Sequence, residues 1–381
     1  MFNFELVIGM AKSDNLRKAK EKKDDEFYTY LRDIENELKH YKNQLKNKVV
    51  FCNCDDPYES NFFKYFVLNF NQLQLKKLIA TCYDGSKVAG TQLSLFDEFD
   101  NFNDKEPDKT AYKIEINEVV DYNQDGAFDF TDVDYLIKNN KNILTKLNSN
   151  GDYRSDECIE LLKESDVVVT NPPFSMWHQF VVDLTKYNKQ FLIIGRIDVI
   201  NYVDVAPLII ENKMWRGYNT VKEFFKPDGT IKKFGNVCWW TNLDVKKRHE
   251  ELVLFRHYSP ESYPSYFNLD GIDVDNVDNI PDDYYGMMGV PVSFLEKYNP
   301  DQFEVIGTGN AVEKKYLHKT IGNEIHYIDK ATNEIVYSFP YSVEERKLGN
   351  SLRIETNGIP TKSPYGRIII KRVLEDGKLW K

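Results

Sequence analysis

Cysteine is scarce in this chain: the five present are an odd number without paired spacing, which fits reduced thiols in a reducing compartment better than a disulfide framework. Cys52 and Cys54 are two apart, but no second Cys or His pair at ligand spacing lies nearby, so they are expected at a strand end and not in a zinc site. Long apolar runs are missing too. No segment approaches the roughly 18 residues needed to span a bilayer, and the N-terminal apolar stretch precedes its Lys and Arg residues, the reverse of a secretory leader. These absences together give the expectation of a cytoplasmic protein with no membrane partner. There is no internal repeat, so a solenoid is excluded.

What is present is enough apolar material for a large core. Of 381 residues 41% are hydrophobic and 14% aromatic, with 24 Tyr and 24 Phe, which excludes global disorder. The length exceeds what one core usually organises, so two modules are expected. The formal net charge of -10 argues at first against a polyanionic partner. However, residues 97–134 hold 13 acidic and 3 basic side chains, leaving 47 of each sign elsewhere. The rest of the chain is neutral and has room for local basic patches.

Residues 11–48 are charged and helix-favouring, with Leu31, Ile34, Leu38 and Tyr41 at helical spacing ahead of an apolar run at 49–52. An aromatic helix over 61–70 and a strand over 76–82 complete a βαβ unit, which implies a parallel sheet. Residues 84–150 read as a polar, acidic insertion with a strand over 112–120 and a helix over 132–139. Alternation resumes with a helix over 157–163, buried strands at 166–170 and 191–195 flanking a helix after Phe174, and a strand at 236–241 that carries Trp239 and Trp240. One of these two rings can face a bound base, although core packing is the commoner role. The division expected is a first module over 1–244 and an α+β module over 245–381. In the latter, Lys314, Lys315, Arg367, Lys371 and Arg372 suffice for phosphate contacts, or are simply solvated surface.

The sharpest chemical signal is Asn171-Pro172-Pro173-Phe174, directly after a buried strand. In an open α/β sheet, ligands bind beyond the carboxyl ends of the strands. Two prolines fix φ and remove donors, leaving a rigid turn in which the Asn171 side-chain oxygen and the Pro172 carbonyl can accept from one amino group. That suits methylation of an aromatic amine. Its lone pair is delocalised into the ring, and two acceptors draw the nitrogen toward tetrahedral geometry while stabilising the charge that develops on it. Phe174 would stack on a base flipped from its duplex.

On these residues, together with Asp25-Glu26-Phe27-Tyr28-Thr29, Cys52-Asn53-Cys54-Asp55-Asp56-Pro57 and Gly151-Asp152-Tyr153-Arg154-Ser155, the chain resembles the EcoRI-like adenine-specific DNA methyltransferases of bacteria and phages. Gly289-Val290-Pro291 with Phe294 and Tyr298 is similar to the C-terminal part of that family. The resemblance implies a Rossmann-like methyltransferase sheet with a C-terminal α+β target-recognition module, S-adenosylmethionine as donor, and adenine in double-stranded DNA as acceptor. It implies a bacterial cell or a phage-infected bacterium as the setting, and restriction-modification as the context. By the same resemblance Phe27, Tyr28 and Thr29 cover the methionine end of the donor. One of Asp55 and Asp56, standing where a Gly-x-Gly loop is usual, meets its ammonium group or caps the helix after Pro57. Tyr83 contacts its ribose or adenine, or packs, and Asp152 accepts from its adenine amine. The motif alone also leaves open cytosine N4 or a protein glutamine as acceptor, or an inactive DNA-binding protein of the same fold.

Two further patterns lie in the acidic insertion. Asp121, Asn123, Asp125, Asp129 and Asp132 stand at loop positions one, three, five, nine and twelve, with Gly126 at six, the spacing of a structural calcium loop or of an acidic turn leading into a helix. Gln92, Leu93, Ser94, Leu95 and Phe96 resemble the peptide that docks on the bacterial sliding clamp; alternatively Leu95 and Phe96 pin the insertion to the core.

Overall fold

The computed structural model describes residues 27–54, 60–82, 111–122, 132, 144–226, 229–340, 351–356, 359–363 and 366–373. They fall into two compact units, one of residues up to Ile197 plus Arg216–Asp244, the other of Asp198–Trp215 plus Val245–Lys381. A single cut after 244 places residues 198–215 in the first module. They pack instead with the second, because a short helix, α7 (Ala206–Ile210), buries Ile209 there.

The first unit is a nine-stranded mixed sheet. Its strands are β1 (Tyr28–Thr29), β2 (Val49–Cys52), β3 (Lys77–Cys82), β4 (Tyr112–Ile116), β5 (Leu144–Lys146), β6 (Val167–Thr170), β7 (Gln190–Arg196), β8 (Trp215–Phe225) and β9 (Ile231–Thr241). They lie in the order β1-β8-β9-β7-β6-β2-β3-β4-β5. The four central strands β3, β2, β6 and β7 are mutually parallel. β2 is apolar throughout and β6 at all but its last residue, Thr170, and both are buried at every position, as strands covered on both faces must be. On one side β9 runs antiparallel to β7. On the other, β4 and β5 extend the sheet antiparallel, so the acidic segment expected as an insertion supplies two sheet strands. The helix expected over 132–139 lies outside the described residues except for Asp132.

Helices follow local chemistry. In α1 (Leu31–Leu38), Ile34 and Leu38 lie one turn apart and are fully buried. After the short α2 (Lys42–Leu45), α3 (Asn61–Leu68) starts at Ser60, whose hydroxyl accepts from the Phe62 N–H at 3.1 Å, and it buries Phe62, Phe63 and Phe66. A single turn, α4 (Phe70–Leu73), follows. Ser155 caps α5 (Asp156–Glu164) in the same way, and α6 (Trp177–Lys186) starts immediately beyond the Pro-Pro turn.

The second unit holds a four-stranded sheet, made of β10 (Gly271–Asp273), β11 (Met287–Pro291), β12 (Phe303–Thr308) and β18 (Arg367–Arg372). A three-stranded sheet of β13 (Tyr316–Ile321), β14 (Glu324–Asp329) and β15 (Ile335–Pro340) and the β16–β17 hairpin (Arg353–Thr356, Ile359–Lys362) complete it. Two of the cations expected on its surface are structural. The buried Arg367 grips Asp273 through Nε and Nη2 at 2.8 and 2.9 Å, and Lys314 is buried with its ammonium on the carbonyls of Gly309 and Val312.

Candidate active site

The chain leaves β2 toward β3 and arrives at β6 on the opposite side of β2, so the two neighbours diverge at their carboxyl ends. That divergence opens a crevice in any doubly wound sheet. Asn171 follows the last residue of β6, and Asn53 the last residue of β2. The residues singled out by their motif therefore lie where the topology places a ligand.

Asn171 is oriented from 144 positions away in sequence. Its Nδ2 donates to the Phe27 carbonyl at 2.6 Å. The amide cannot be reversed without setting oxygen against oxygen, so Oδ1 points elsewhere, and it is buried with no hydrogen-bond partner among the described residues. The Phe27 carbonyl is placed by β1, which pairs antiparallel with the edge of β8 through Tyr28↔Phe225 and Thr29↔Phe224. The Thr29 carbonyl accepts from Asn61 Nδ2 at 2.8 Å, which ties the same strand to the start of α3.

Phe174 belongs to an aromatic cluster that its own motif did not announce. Its ring centroid lies 5.6 Å from Phe27, 5.6 Å from Phe234 and 6.1 Å from Phe224. Phe27 and Phe234 meet edge to face at 5.0 Å. Phe224 is fully buried whereas Phe27, Phe174 and Phe234 are half-buried, so the cluster has an open side. A signal for the missing pair was available: Lys226-Pro227-Asp228-Gly229 between two aromatic, β-favouring runs is turn chemistry for a hairpin.

Beyond the turn, Trp177 anchors α6 to β7 by donating its indole N–H to the Ile194 carbonyl at 2.7 Å. Gly195 makes room, since a side chain there would run into the Trp177 ring. Trp239 and Trp240 are fully buried, one edge-on to Phe62 and the other to Trp177, so both are core residues and neither ring faces a ligand.

Gly151 holds a positive φ of 77° and lies against the Cys82 carbonyl, where a Cβ would collide, so Asp152 comes next to the carboxyl end of β3. Arg154 grips the Asp152 carboxylate through Nε and Nη2 at 2.9 and 2.6 Å. Tyr153 packs edge-on against Phe180 of α6, and burial pushes its phenol well above the ordinary range. Thr29 and Asn53 are buried, and Thr29 Oγ1 and Asn53 Oδ1 have no partner among the described residues. Asp55, Asp56 and Tyr83 lie outside the described residues, as do Asn123, Asp125, Asp129 and residues 92–96. The buried Asp132 carboxylate accepts from the Tyr122 N–H at 2.9 Å.

A crevice at diverging strand ends, with an unmatched amide acceptor beside an open aromatic wall, is suited to a planar amine. A sequence model of the family described as "Adenine-specific methyltransferase EcoRI" matches residues 15–373, and the chain belongs to that family. It is 42% identical to the type II methyltransferase M.EcoRI of Escherichia coli, over 79% of this chain and 91% of that one. It is 36% identical to M.MgeORF184P of Mycoplasma genitalium, over 77% and 85%, and 34% identical to M.MpnI of Mycoplasma pneumoniae, over 76% and 84%. No solved structure matches significantly. The protein is an adenine-specific DNA methyltransferase with S-adenosylmethionine as its donor, which favours adenine over cytosine or glutamine as acceptor. Among the described residues no helix is long and apolar enough to cross a membrane.

Proposed function

We propose that the enzyme methylates the N6 amino group of an adenine turned out of its duplex, with Asn171 Oδ1 and the Pro172 carbonyl accepting the two amino hydrogens. The observation that carries this reading is the Asn171 amide, whose Nδ2 is committed to Phe27 and whose Oδ1 is buried and unmatched. A buried acceptor without a partner costs about 1–3 kcal/mol, and an amine brought against it recovers that loss. The same contact strengthens as positive charge builds on the nitrogen, so it favours the transition state over the bound ground state. Phe174 offers an aromatic face for the purine and is itself packed against Phe27, Phe224 and Phe234.

S-adenosylmethionine supplies a methyl group already activated on a sulfonium, which leaves the chain the tasks of alignment and exclusion of water. We place its site in the crevice at the carboxyl ends of β2 and β3 of a Rossmann-like sheet, between Thr29, Asn53 and Asp152. Two of these carry unmatched buried oxygens, which suits a donor with ammonium and hydroxyl groups. Arg154 holds the Asp152 carboxylate in a fixed orientation, as an acceptor for an adenine amine requires. The second unit is then the target-recognition module.

The test is Asn171→Ala. Methyl transfer to DNA is expected to fall roughly 100-fold or more, while calorimetric titration with the donor stays unchanged. Activity within a few-fold of the unaltered enzyme overturns the assignment of the acceptor.

A further inference from the structure

β9 pairs with β7 only over Val237–Thr241, so its residues 231–236 run past Arg196, the last residue of β7. They overhang the carboxyl edge of the sheet, the edge from which the Asn171 turn projects. Alternate residues of a strand share a face, and Phe234 identifies the face that meets this turn, through its contacts with Phe174 and Phe27. Lys232, two residues earlier, is on that face. It is exposed, its Nζ lies 6.0 Å from the Phe234 ring centroid, and it forms no ion pair among the described residues. Lys233 is on the opposite face and is paired with Glu223 at 3.0 Å, a carboxylate that also lies 3.5 Å from Arg32. Of two adjacent lysines, one is neutralised and the other left unpaired beside the aromatic wall, in a chain whose net charge is -10.

A nucleotide held by its base on that wall carries its phosphate one sugar away, and a lysine presents a point charge on a flexible stem that suits such a phosphate. We propose that the overhanging end of the β8–β9 hairpin is a DNA-contacting arm, in which Lys232 takes a backbone phosphate oxygen beside the target adenine. The proposal rests on the reading of the Asn171 turn as the adenine site.

The experiment measures equilibrium binding of the full-length protein to a duplex that it methylates, at a series of salt concentrations, for the unaltered chain, Lys232→Gln and Lys233→Gln. Loss of one phosphate contact should lower the magnitude of the slope of log affinity against log salt by about 0.9 and weaken binding at low salt. Donor affinity and melting temperature should not change. Lys233→Gln should alter the slope much less. An unchanged slope and affinity in Lys232→Gln, or equal losses in both variants, overturns the arm while leaving the adenine site intact. Methyl transfer by Asn171→Ala within a few-fold of the unaltered enzyme overturns the reading beneath it, and the arm with it.

Discussion

At Asn171 the two ends of a single amide differ: the nitrogen donates to the Phe27 carbonyl and the oxygen is buried without a partner among the described residues, which on the proposed reading leaves it for chemistry. This difference makes Asn171→Asp informative. The carboxylate oxygen that replaces the amide nitrogen would face the Phe27 carbonyl, and two acceptors at that separation repel. Protonation restores a donor, so burial and the carbonyl should raise the new carboxyl's pKa. We expect the Asn171→Asp variant to be nearly inactive at neutral pH and to regain part of its methyl transfer as pH falls, relative to the unaltered enzyme assayed in parallel. A pH profile parallel to that of the unaltered enzyme would argue that the Phe27 contact does not orient the amide. The proposed catalytic turn stands out in the sequence because its four residues are contiguous and follow an apolar strand. The partner that orients it does not: Phe27 drew attention as a donor-covering residue, whereas the structure shows its carbonyl on Asn171 and its ring on Phe174. No local pattern reports a contact across 144 residues.

Among the elements, the β8–β9 hairpin matters most for the site and was least visible beforehand. β2, β6 and β7 announce themselves as continuous apolar runs, since both faces are covered. β8 mixes charged, aromatic and small residues because it lies near the sheet edge and is paired outward only by the two-residue β1. Its start is held by Glu37 of α1. This fully buried carboxylate accepts from the Tyr218 and Asn219 backbone N–H groups and Asn219 Nδ2, each at 2.8 Å, and from the Tyr41 hydroxyl at 2.9 Å. Burial pushes its pKa up, with the donors pulling the other way. Replacing it by Ala leaves two backbone donors unmatched, and we expect a loss of about 2–5 kcal/mol, measured by denaturant unfolding. A loss below about 1 kcal/mol would show that water substitutes for it. On the other side of the site, Gly195→Ala should displace the Trp177 ring and, through α6, the turn that precedes it. Overpacking of this kind costs about 1–3 kcal/mol, and we expect methyl transfer to fall more steeply than donor affinity. Equal effects on both would place the disturbance in the sheet as a whole.

For the molecule as a whole, length led to the expectation of two modules, but it could not place residues 198–215, which cluster with the second compact unit and not with their neighbours in the chain. Nor could composition tell surface cations from buried ones. Lys314 illustrates the cost of the difference, since burial lowers its pKa to about 8 from 10.5. Between these values the unfolded chain holds the proton more tightly than the folded one, so stability rises with pH through this window and is lost as pH falls through 8. Comparing melting temperatures of the unaltered protein and Lys314→Met, the difference should move in favour of the unaltered chain between about pH 7 and about 10. A constant difference would mean that Lys314 stays charged throughout.

The packing of Trp177, Trp239 and Trp240 inside the first unit has an optical consequence. Three of the five indoles in the chain are shielded from water in that sheet, and Trp177 stands three residues beyond Phe174. Their emission should therefore be blue-shifted in the native protein and move to longer wavelength when this unit opens, so that unlabelled enzyme reports the integrity of its catalytic half through its own fluorescence.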